Sequence, residues 1–245
     1  MPRVREQGFH GPMARRSRTR SLPSPSDGGA VVRAEEAGAA EGEVELLSPV
    51  SLRVGAGEVL ALRGHNGSGK TTLLRLLAGL RRPSTGSVEV LGHAPDDRDP
   101  SLRTALAALI GPPQTARDLT VREHLRFLGA TWGRAAGPAQ VEADALLEEL
   151  ALTPLAARFP HELSSGQSQL LALALTLGRP SCVLLLDEPE QRLDPDRLTL
   201  VAEALRARAE AGAAIVLASH SPALVDSLAT AELTLTAAGT VGAAR

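Results

Sequence analysis

Eight consecutive residues constrain the fold of this chain more than any others. They read Gly64-His65-Asn66-Gly67-Ser68-Gly69-Lys70-Thr71 and satisfy every specified position of the pattern G-x-x-x-x-G-K-[ST]. The apolar run Val59-Leu60-Ala61-Leu62 precedes them, and leucines at helical spacing follow from Thr71 to Leu80. A buried strand, a glycine-rich loop and a helix in this order are typical of a loop whose backbone N–H groups surround phosphate oxygens, while the helix N-terminus adds partial positive charge.

Lys70 is the only lysine in the sequence. The chain has 26 Lys plus Arg residues, so 26 less one lysine leaves 25 arginines. A compact ammonium reaches the β and γ oxygens of a nucleotide, whereas a planar and wider guanidinium does not fit the same hole. Thr71 is expected to ligate Mg²⁺ through its hydroxyl. The residues of this segment expected to bind nucleotide are Gly64, His65, Asn66, Gly67, Ser68, Gly69, Lys70, Thr71 and Thr72.

Length and composition favour one medium-sized domain. The 245 residues carry a net charge of −2, so no nucleic-acid partner is expected. The single cysteine, Cys182, cannot form an intrachain disulfide, in keeping with a reducing compartment. Apolar runs such as Leu170–Leu175 are much shorter than the roughly 18 residues of a membrane-spanning helix. No pair of histidines has the spacing of zinc ligands, so Mg²⁺ is the only metal expected.

Residues 1–28 are interpreted as a disordered Arg/Ser/Pro-rich tail, which leaves residues 29–245 for the folded domain. Six of the first 20 residues are Arg, and Ser, Pro and Gly dominate from Ser21 to Gly29. No apolar stretch follows Arg15-Arg16, so a secretory signal peptide is not predicted. Two alternatives stay open. Met13 is a candidate true start of translation, and the basic tail is a candidate for electrostatic attraction to anionic lipid headgroups.

A second apolar run ends in two acidic residues. Val183–Leu186 is continuously apolar and is followed by Asp187 and Glu188. Such a run is typical of a central strand in a parallel sheet that is covered on both faces, and ligands bind at the carboxyl ends of these strands. Asp187 is therefore placed to hold Mg²⁺, directly or through water, and Glu188 to polarise an attacking water as a general base. Paired acids at a strand end also occur as ordinary loop starts.

A third motif, Leu163-Ser164-Ser165-Gly166-Gln167, opens a helical stretch 23 residues before Asp187, counted from Ser164. With the phosphate loop and the acid pair, it resembles the ABC-type ATPases, the nucleotide-binding subunits of ATP-driven transporters, whose hallmark is L-S-G-G-Q. The resemblance extends from about Glu43 to Val241.

Three further elements follow the order of that family. Gln114 comes after the apolar run Ala107–Ile110 and resembles the Q-loop glutamine. Leu193-Asp194 resembles the D-loop, and His220, after the run Ala214–Ser219, resembles the switch histidine.

The resemblance implies a role for each of these residues. Gln114 would contact Mg²⁺ or the lytic water, on a segment that also faces the membrane partner. His220 would donate a hydrogen bond to the γ-phosphate and help to orient Glu188. Asp194 would link two chains that close on two ATP molecules. The residues expected to meet the γ-phosphate held by the second subunit belong to the signature: Ser164, Ser165, Gly166 and Gln167.

Other histidines and aromatic residues receive weaker interpretations. A solvated loop position fits His10, His65, His93 and His124, and His161 is assigned no role. Phe127 and Trp132 are expected to pack within a helical region, with contact to a permease as the alternative.

The sequence departs from the family pattern in four places. The family usually has an adenine-stacking aromatic 29 residues before the loop lysine, a position held here by Glu41, and no aromatic lies between Phe9 and Phe127. An arginine such as Arg33 is the candidate replacement for the ring. The other departures are Ser165 in place of Gly, Ser168 and Gln169 in place of basic residues, and the polar run Glu190-Gln191-Arg192.

The predicted fold class is α/β: a P-loop NTPase core of the ABC ATPase type with a largely parallel sheet. An N-terminal antiparallel β part is expected at about Val44 to Val59, and a helical subdomain at about 115–165. The predicted function is ATP hydrolysis that powers transport through a separate integral membrane permease. The chain would be cytoplasmic, bound at the inner face of the cell membrane, and would pair with an identical or different ATPase subunit.

Efflux is the favoured direction of transport. Asp118–Leu125 resembles a D-L-T-V-R-E-x-L stretch of exporters, and about 25 residues follow His220, too few for the C-terminal regulatory domain of many sugar importers. The alternative from another class is a non-transport ABC ATPase that acts as a mechanical clamp or regulator. The 94 residues from Lys70 to Ser164 carry no heptad run, which disfavours the coiled-coil clamps. A P-loop kinase or GTPase would lack the signature and His220.

Overall fold

Two β-sheets and the helices between their strands make up the computed structural model, which describes residues 29–236 and 239–243. The strands within these residues are β1 (Val32–Glu41), β2 (Val44–Val54), β3 (Val59–Arg63), β4 (Thr85–Val90), β5 (Leu106–Leu109), β6 (Val183–Asp187), β7 (Ala214–Ala218), β8 (Ala231–Thr236) and β9 (Gly239–Ala243). The helices are α1 (Lys70–Leu77), α2 (Pro100–Ala105), α3 (Val121–Thr131), α4 (Ala136–Glu149), α5 (Ser165–Leu177), α6 (Pro195–Glu210) and α7 (Pro222–Leu228), with short 3₁₀ turns at Thr153–Leu155 and Pro160–Glu162. No helix of the described residues is long and apolar enough to cross a bilayer. The predicted tail lies outside the described residues.

The larger sheet brings three loops to one edge. Its order is β5-β6-β7-β3-β8-β9, and every neighbouring pair is parallel except β8 with β9. Ala218 at the end of β7 pairs with Leu62 of β3 on one side and with Asp187 of β6 on the other. The segments that follow β3, β6 and β7 therefore leave the sheet at the same level.

The bounds predicted for the antiparallel β part, about Val44 to Val59, are wrong. The antiparallel sheet has the order β2-β1-β4, so it begins at Val32 and takes in Thr85–Val90, whereas Val59 opens a strand of the parallel sheet. Register shifts along the β1–β2 pair break the alternation of inward and outward side chains. Because β1 is also built largely from Ala, Gly and Glu, the sequence lacks the period-two pattern that predicts a strand.

Two apolar clusters cover the two faces of the parallel sheet. Leu184 and Leu186 of β6 belong to a cluster that includes residues of α3, α4, α5 and α6. Val183 and Leu185 point into the other cluster, with residues of α1 and of the antiparallel sheet. The predicted burial of this strand on both faces is confirmed.

Two predictions for residues in the helices between β5 and β6, His124 and Phe127, are wrong. His124, expected in a solvated loop, lies on α3 and is 6% exposed. Both ring nitrogens have partners there: Nε2 accepts from the Ala116 N–H at 2.9 Å, and Nδ1 lies 2.8 Å from the Thr120 carbonyl oxygen. Phe127, expected to pack, is 62% exposed. It lies on the opposite side of α3 from Val121 and Leu125, which are buried.

Helix α1 is shorter than its leucine pattern predicts. It ends at Leu77, and Gly79 has a φ of 71°. This left-handed conformation ends a helix readily at glycine, so Leu80 lies beyond the helix and is 55% exposed.

Candidate nucleotide site

The glycine-rich loop connects β3 to α1 and depends on glycine at three of its positions. Gly64 has a φ of 140°. Gly67 and Gly69 have φ values of 83° and 95°, which side chains rarely tolerate. A Cβ atom on Gly69 would lie 2.7 Å from Leu47 Cδ1 and 2.9 Å from the Leu46 carbonyl oxygen. At Gly67 a Cβ would meet no atom within 4 Å, so this part of the loop faces open space.

Lys70 lies inside the loop and is 6% exposed. Its Nζ donates to the carbonyl oxygens of Gly64 at 2.7 Å and His65 at 3.1 Å. The Ser68 hydroxyl is buried and has no hydrogen-bond partner among the described residues. A buried hydroxyl without a partner is destabilising, and a phosphate oxygen would satisfy it. The loop therefore fits the triphosphate of a nucleotide.

Oxygen ligands suited to Mg²⁺ meet where β6 approaches α1. The Thr71 hydroxyl donates to Asp187 Oδ2 at 2.7 Å. Both residues line a cavity of about 380 Å³, which we call the Asp187 cavity. Hydroxyl and carboxylate oxygens are the ligands that Mg²⁺ prefers, so this pair fits the ion.

Glu188 and His220 face each other at the same edge of the sheet. Glu188 has a φ of 49°, and its N–H donates to the Ala218 carbonyl oxygen at 2.8 Å, which fixes the turn out of β6. Its Oε1 lies 3.5 Å from His220 Nε2, and its Oε2 accepts from Gln191 Nε2 at 3.1 Å. The carboxylate also lines the Asp187 cavity, where a general base would act on water.

The signature motif forms the start of α5. Ser164 is the N-cap: its hydroxyl accepts from the Gln167 N–H at 3.3 Å, and the Gln167 side chain accepts from the Ser164 N–H at 2.9 Å. A Cβ on Gly166 would lie 2.6 Å from the Arg192 carbonyl oxygen, so glycine is required there. Ser165 lines the Asp187 cavity of its own chain, and Ser164 does not. The role of the motif towards a second chain stays a prediction.

Two other predicted site residues, Asp194 and Gln114, do not line the Asp187 cavity. Asp194 is the N-cap of α6 and accepts from the Arg197 N–H at 2.9 Å. Gln114 is exposed and lines a neighbouring groove with His124 and Phe127, without lining the Asp187 cavity. Their predicted contacts with a second chain and with Mg²⁺ therefore stay predictions.

Sequence reasoning missed the contacts of Gln169 and Glu190. Gln169 Nε2 donates to the carbonyl oxygens of Glu188 and Pro189, each at 3.2 Å. Glu190 Oε1 accepts from the Ser219 hydroxyl and the His220 N–H, each at 2.7 Å. One signal was present in the sequence, since both residues belong to segments that depart from the family pattern.

A phosphate loop between a strand and a helix, with an acid pair at the carboxyl edge of the same parallel sheet, defines the class of P-loop nucleoside triphosphatases. Comparison with known proteins identifies one family within this class. Residues 47–191 match the family described as ABC transporter. The cytochrome c biogenesis ATP-binding export protein CcmA of Paracoccus denitrificans is 42% identical and aligns over 74% of this chain and 78% of its own. The chain belongs to the ABC transporter family and is one of its ATP-hydrolysing cassettes.

Other relatives match over different shares of their length. The spermidine/putrescine import ATP-binding protein PotA of Chromobacterium violaceum is 37% identical over 73% of this chain and 50% of its own. A relative from Streptomyces avermitilis is 38% identical over 84% of this chain, and the chain spans 36% of that relative's length. The names of these relatives include both export and import.

Solved structures agree with the fold. The ATP-binding subunit of an ABC transporter superposes with a TM-score of 0.76 at 25% identity, covering 84% of this chain and 85% of that one. A dimeric cassette in a post-hydrolysis state, bound to ADP and Pi, has a TM-score of 0.75 at 23% identity and covers 84% of this chain and 94% of that one. The predicted fold class is confirmed.

The position expected for an adenine-stacking aromatic is polar in the structure. Glu41 ends β1 with its side chain 77% exposed, and its Oε2 lies 3.6 Å from Arg81 Nη1. Arg33, the candidate replacement for the ring, forms an ion pair with Glu35 near the other end of β1. Eight residues of strand span roughly 26 Å, so Arg33 does not replace a ring at Glu41.

We therefore expect weak discrimination between bases. Base–aromatic stacking contributes roughly 1–3 kcal/mol, and each 1.4 kcal/mol is about tenfold in affinity. The isolated chain should bind ATP with a preference over GTP well below about a hundredfold. Competition of GTP against labelled ATP measures this ratio.

A substitution at the same position makes the expectation sharper. Glu41→Trp should tighten ATP binding by about tenfold, while Glu43→Trp, in the same hairpin turn, should leave it unchanged. Equal affinities in the parent and Glu41→Trp would mean that Glu41 does not lie beside the base.

Proposed function

We propose that two copies of this cassette, or one copy and a related subunit, hydrolyse ATP with Mg²⁺ and power efflux through a separate integral membrane permease. The cassettes would lie at the cytoplasmic face of the membrane, held there by the permease. Membership of the ABC transporter family and the geometry of the nucleotide site support this proposal.

In this proposal the residues of one chain divide the work. Lys70 and the loop N–H groups would bind the β and γ phosphates, and Thr71 and Asp187 would hold Mg²⁺, which supplies positive charge against the phosphates. Glu188 orients the attacking water and accepts its proton. His220 donates to the γ-phosphate and keeps the Glu188 carboxylate in place.

A second chain completes each site. Ser164, at the N-terminus of α5, would contact the γ-phosphate bound by its partner, where the helix dipole and the first N–H groups favour an anion. ATP then joins the two chains, and hydrolysis separates them.

The observation that supports coupling to a permease is that two neighbouring cavities are lined in part by the same residues. A groove of about 440 Å³, which we call the Gln114 groove, lies between residues 108–114 and the helices α3 and α5. Leu109 and the segment 111–113 line both this groove and the Asp187 cavity. A partner seated in the groove would press on the segment that borders the nucleotide.

The surface chemistry of the groove fits an apolar segment that carries an acidic residue. Phe127 is 62% exposed at its rim. Arg179 also lines it, and its Nε is buried with no partner among the described residues. Burial, and then the neighbouring Arg103, hold the pKa of Arg179 below its ordinary value. A carboxylate from the permease would pair with this guanidinium.

Phe127→Asp should abolish association with the permease, because it places a charge where the groove offers an apolar contact. Co-purification of the tagged cassette with the membrane protein encoded beside it, in mild detergent, measures association. Val141→Asp is the matched control, since Val141 is 69% exposed on α4 and does not line the groove. If no membrane protein co-purifies with the parent chain, the clamp or regulator alternative gains support.

The direction of transport has its own test. Inverted membrane vesicles that carry cassette and permease are incubated with a cytosolic extract and ATP, and their contents are compared by mass spectrometry with vesicles carrying Glu188→Gln. Efflux predicts that at least one compound accumulates only with the parent cassette. ATP-dependent loss of a preloaded compound from these vesicles would indicate import.

A further inference from the structure

Glu190 gathers three donors on one carboxylate oxygen. Its Oε1 accepts from the Ser219 hydroxyl at 2.7 Å, the His220 N–H at 2.7 Å and the Ser221 N–H at 3.2 Å. These donors belong to the turn that connects β7 to α7. One side chain therefore fixes the whole turn on which His220 lies.

The other oxygen of this carboxylate has no partner. Glu190 Oε2 is buried and accepts no hydrogen bond among the described residues. Removing a carboxylate oxygen from water without a partner is unfavourable, and this offsets part of what the three hydrogen bonds to Oε1 contribute. A buried polar atom without a partner in a folded protein calls for an explanation, and a role in the site is one such explanation.

The segment that carries Glu190 also carries the general base. Glu188 lies two residues before Glu190, and its Oε1 approaches His220 Nε2 to 3.5 Å. One short segment thus contacts His220 at two places: Glu190 accepts from its backbone N–H, and Glu188 Oε1 lies 3.5 Å from its ring nitrogen. The backbone contact sets where the ring lies relative to the carboxylate.

We propose that Glu190 is a positioning residue for His220 and, through it, for the Glu188 carboxylate during ATP hydrolysis. This inference rests on the proposed roles of Glu188 and His220. Glu190 does not line the Asp187 cavity, so it is not placed to contact the nucleotide or the attacking water directly. Its contribution comes from keeping the imidazole within reach of the reacting phosphate.

The test compares two substitutions with different acceptor capacity. Glu190→Gln keeps a side-chain oxygen that accepts from the same three donors, whereas Glu190→Ala removes it. Misplacing a catalytic group by about 1 Å costs on the order of 100-fold in rate. We expect Glu190→Ala to lower kcat at least ~10-fold with KM for ATP little changed, and Glu190→Gln to stay within about threefold of the parent. Glu203→Ala, which removes an exposed carboxylate on α6 that has no hydrogen bond or ion pair among the described residues, is the control.

A double-mutant cycle separates positioning from general destabilisation. If Glu190 acts through His220, then Glu190→Ala causes no further loss of kcat in a His220→Ala background, because the ring it positions is absent. Equal losses of kcat in both backgrounds would overturn the proposal, and so would an unchanged kcat in Glu190→Ala or a Glu190→Gln variant as slow as Glu190→Ala.

A substitute variant and two reference activities keep the result of this test interpretable. If Glu190→Ala does not fold, Glu190→Asp replaces it in the same cycle, since the shorter side chain withdraws the acceptor while keeping the charge. If the parent hydrolyses no ATP, the proposed function fails, and if His220→Ala is as active as the parent, the proposed role of His220 fails before Glu190 is tested. The two failures are therefore distinguishable.

Discussion

Lys70→Ala should abolish ATP binding or turnover, whereas Glu188→Gln should keep binding and lose hydrolysis. The Lys70 ammonium, held by two carbonyl oxygens of its own loop, is positioned for the phosphates. Hydrogen bonds to charged groups contribute ~1.5–3 kcal/mol each, so losing two phosphate contacts lowers affinity by on the order of 100-fold or more. Removing a general base lowers kcat by about 10²–10⁴-fold.

Titration calorimetry with ATP and phosphate-release assays check these values. Arg75→Ala is the matched control for Lys70→Ala, because Arg75 is an exposed cation on the same helix. With ATP and Mg²⁺, Glu188→Gln should accumulate a dimer on size-exclusion chromatography, since release is blocked. Hydrolysis by Glu188→Gln at the parent rate would mean that another group activates water.

Ser164→Arg should spare nucleotide binding and stop hydrolysis. The expectation follows from the proposed contact of Ser164 with the γ-phosphate held by a second chain. An arginine there would obstruct the closed dimer while leaving the phosphate loop of its own chain intact. Mixing Ser164→Arg with Lys70→Ala should restore at most one working site per dimer, if the chain forms homodimers.

The substitution also removes a helix cap, so a control is needed. Ser164 and Gln167 form a capping box at α5, and Thr120 and Glu123 form the same box at α3. Losing a cap costs about 1 kcal/mol of stability, so Thr120→Ala reproduces that loss away from the signature. Parallel loss of ATP affinity and hydrolysis in Ser164→Arg would place the serine in its own chain's pocket.

The part of the site that the sequence predicted consists of contiguous patterns. Strands β3, β6 and β7 are short apolar runs, and each ends where chemistry-bearing residues begin. Because ligands bind at the carboxyl ends of parallel strands, the sequence also predicted that the acid pair lies at the ligand-binding edge, and the family resemblance implied that His220 joins it there. Strand β1 escaped prediction because its register shifts erase the alternation on which strand prediction depends.

Other features of the site depend on contacts between residues far apart in the sequence, which no local pattern predicts. Glu190 accepts from residues 29 to 31 positions later, just after the neighbouring strand β7. The polar run around Glu190 was visible in the sequence, but the donors that contact it were not. For His124 a local signal was present: three residues after Val121 and next to Leu125, it shares the buried face of α3, while Phe127 falls on the other face.

The burial of the chain's single lysine has a consequence for chemical labelling. Reagents that acylate amines find one side-chain target in this sequence, and that target is 6% exposed inside the phosphate loop. Phosphate bound at the loop would shield the ammonium directly. Acylation of Lys70 therefore serves as a footprint of nucleotide occupancy, free of the background that other lysines create in most proteins.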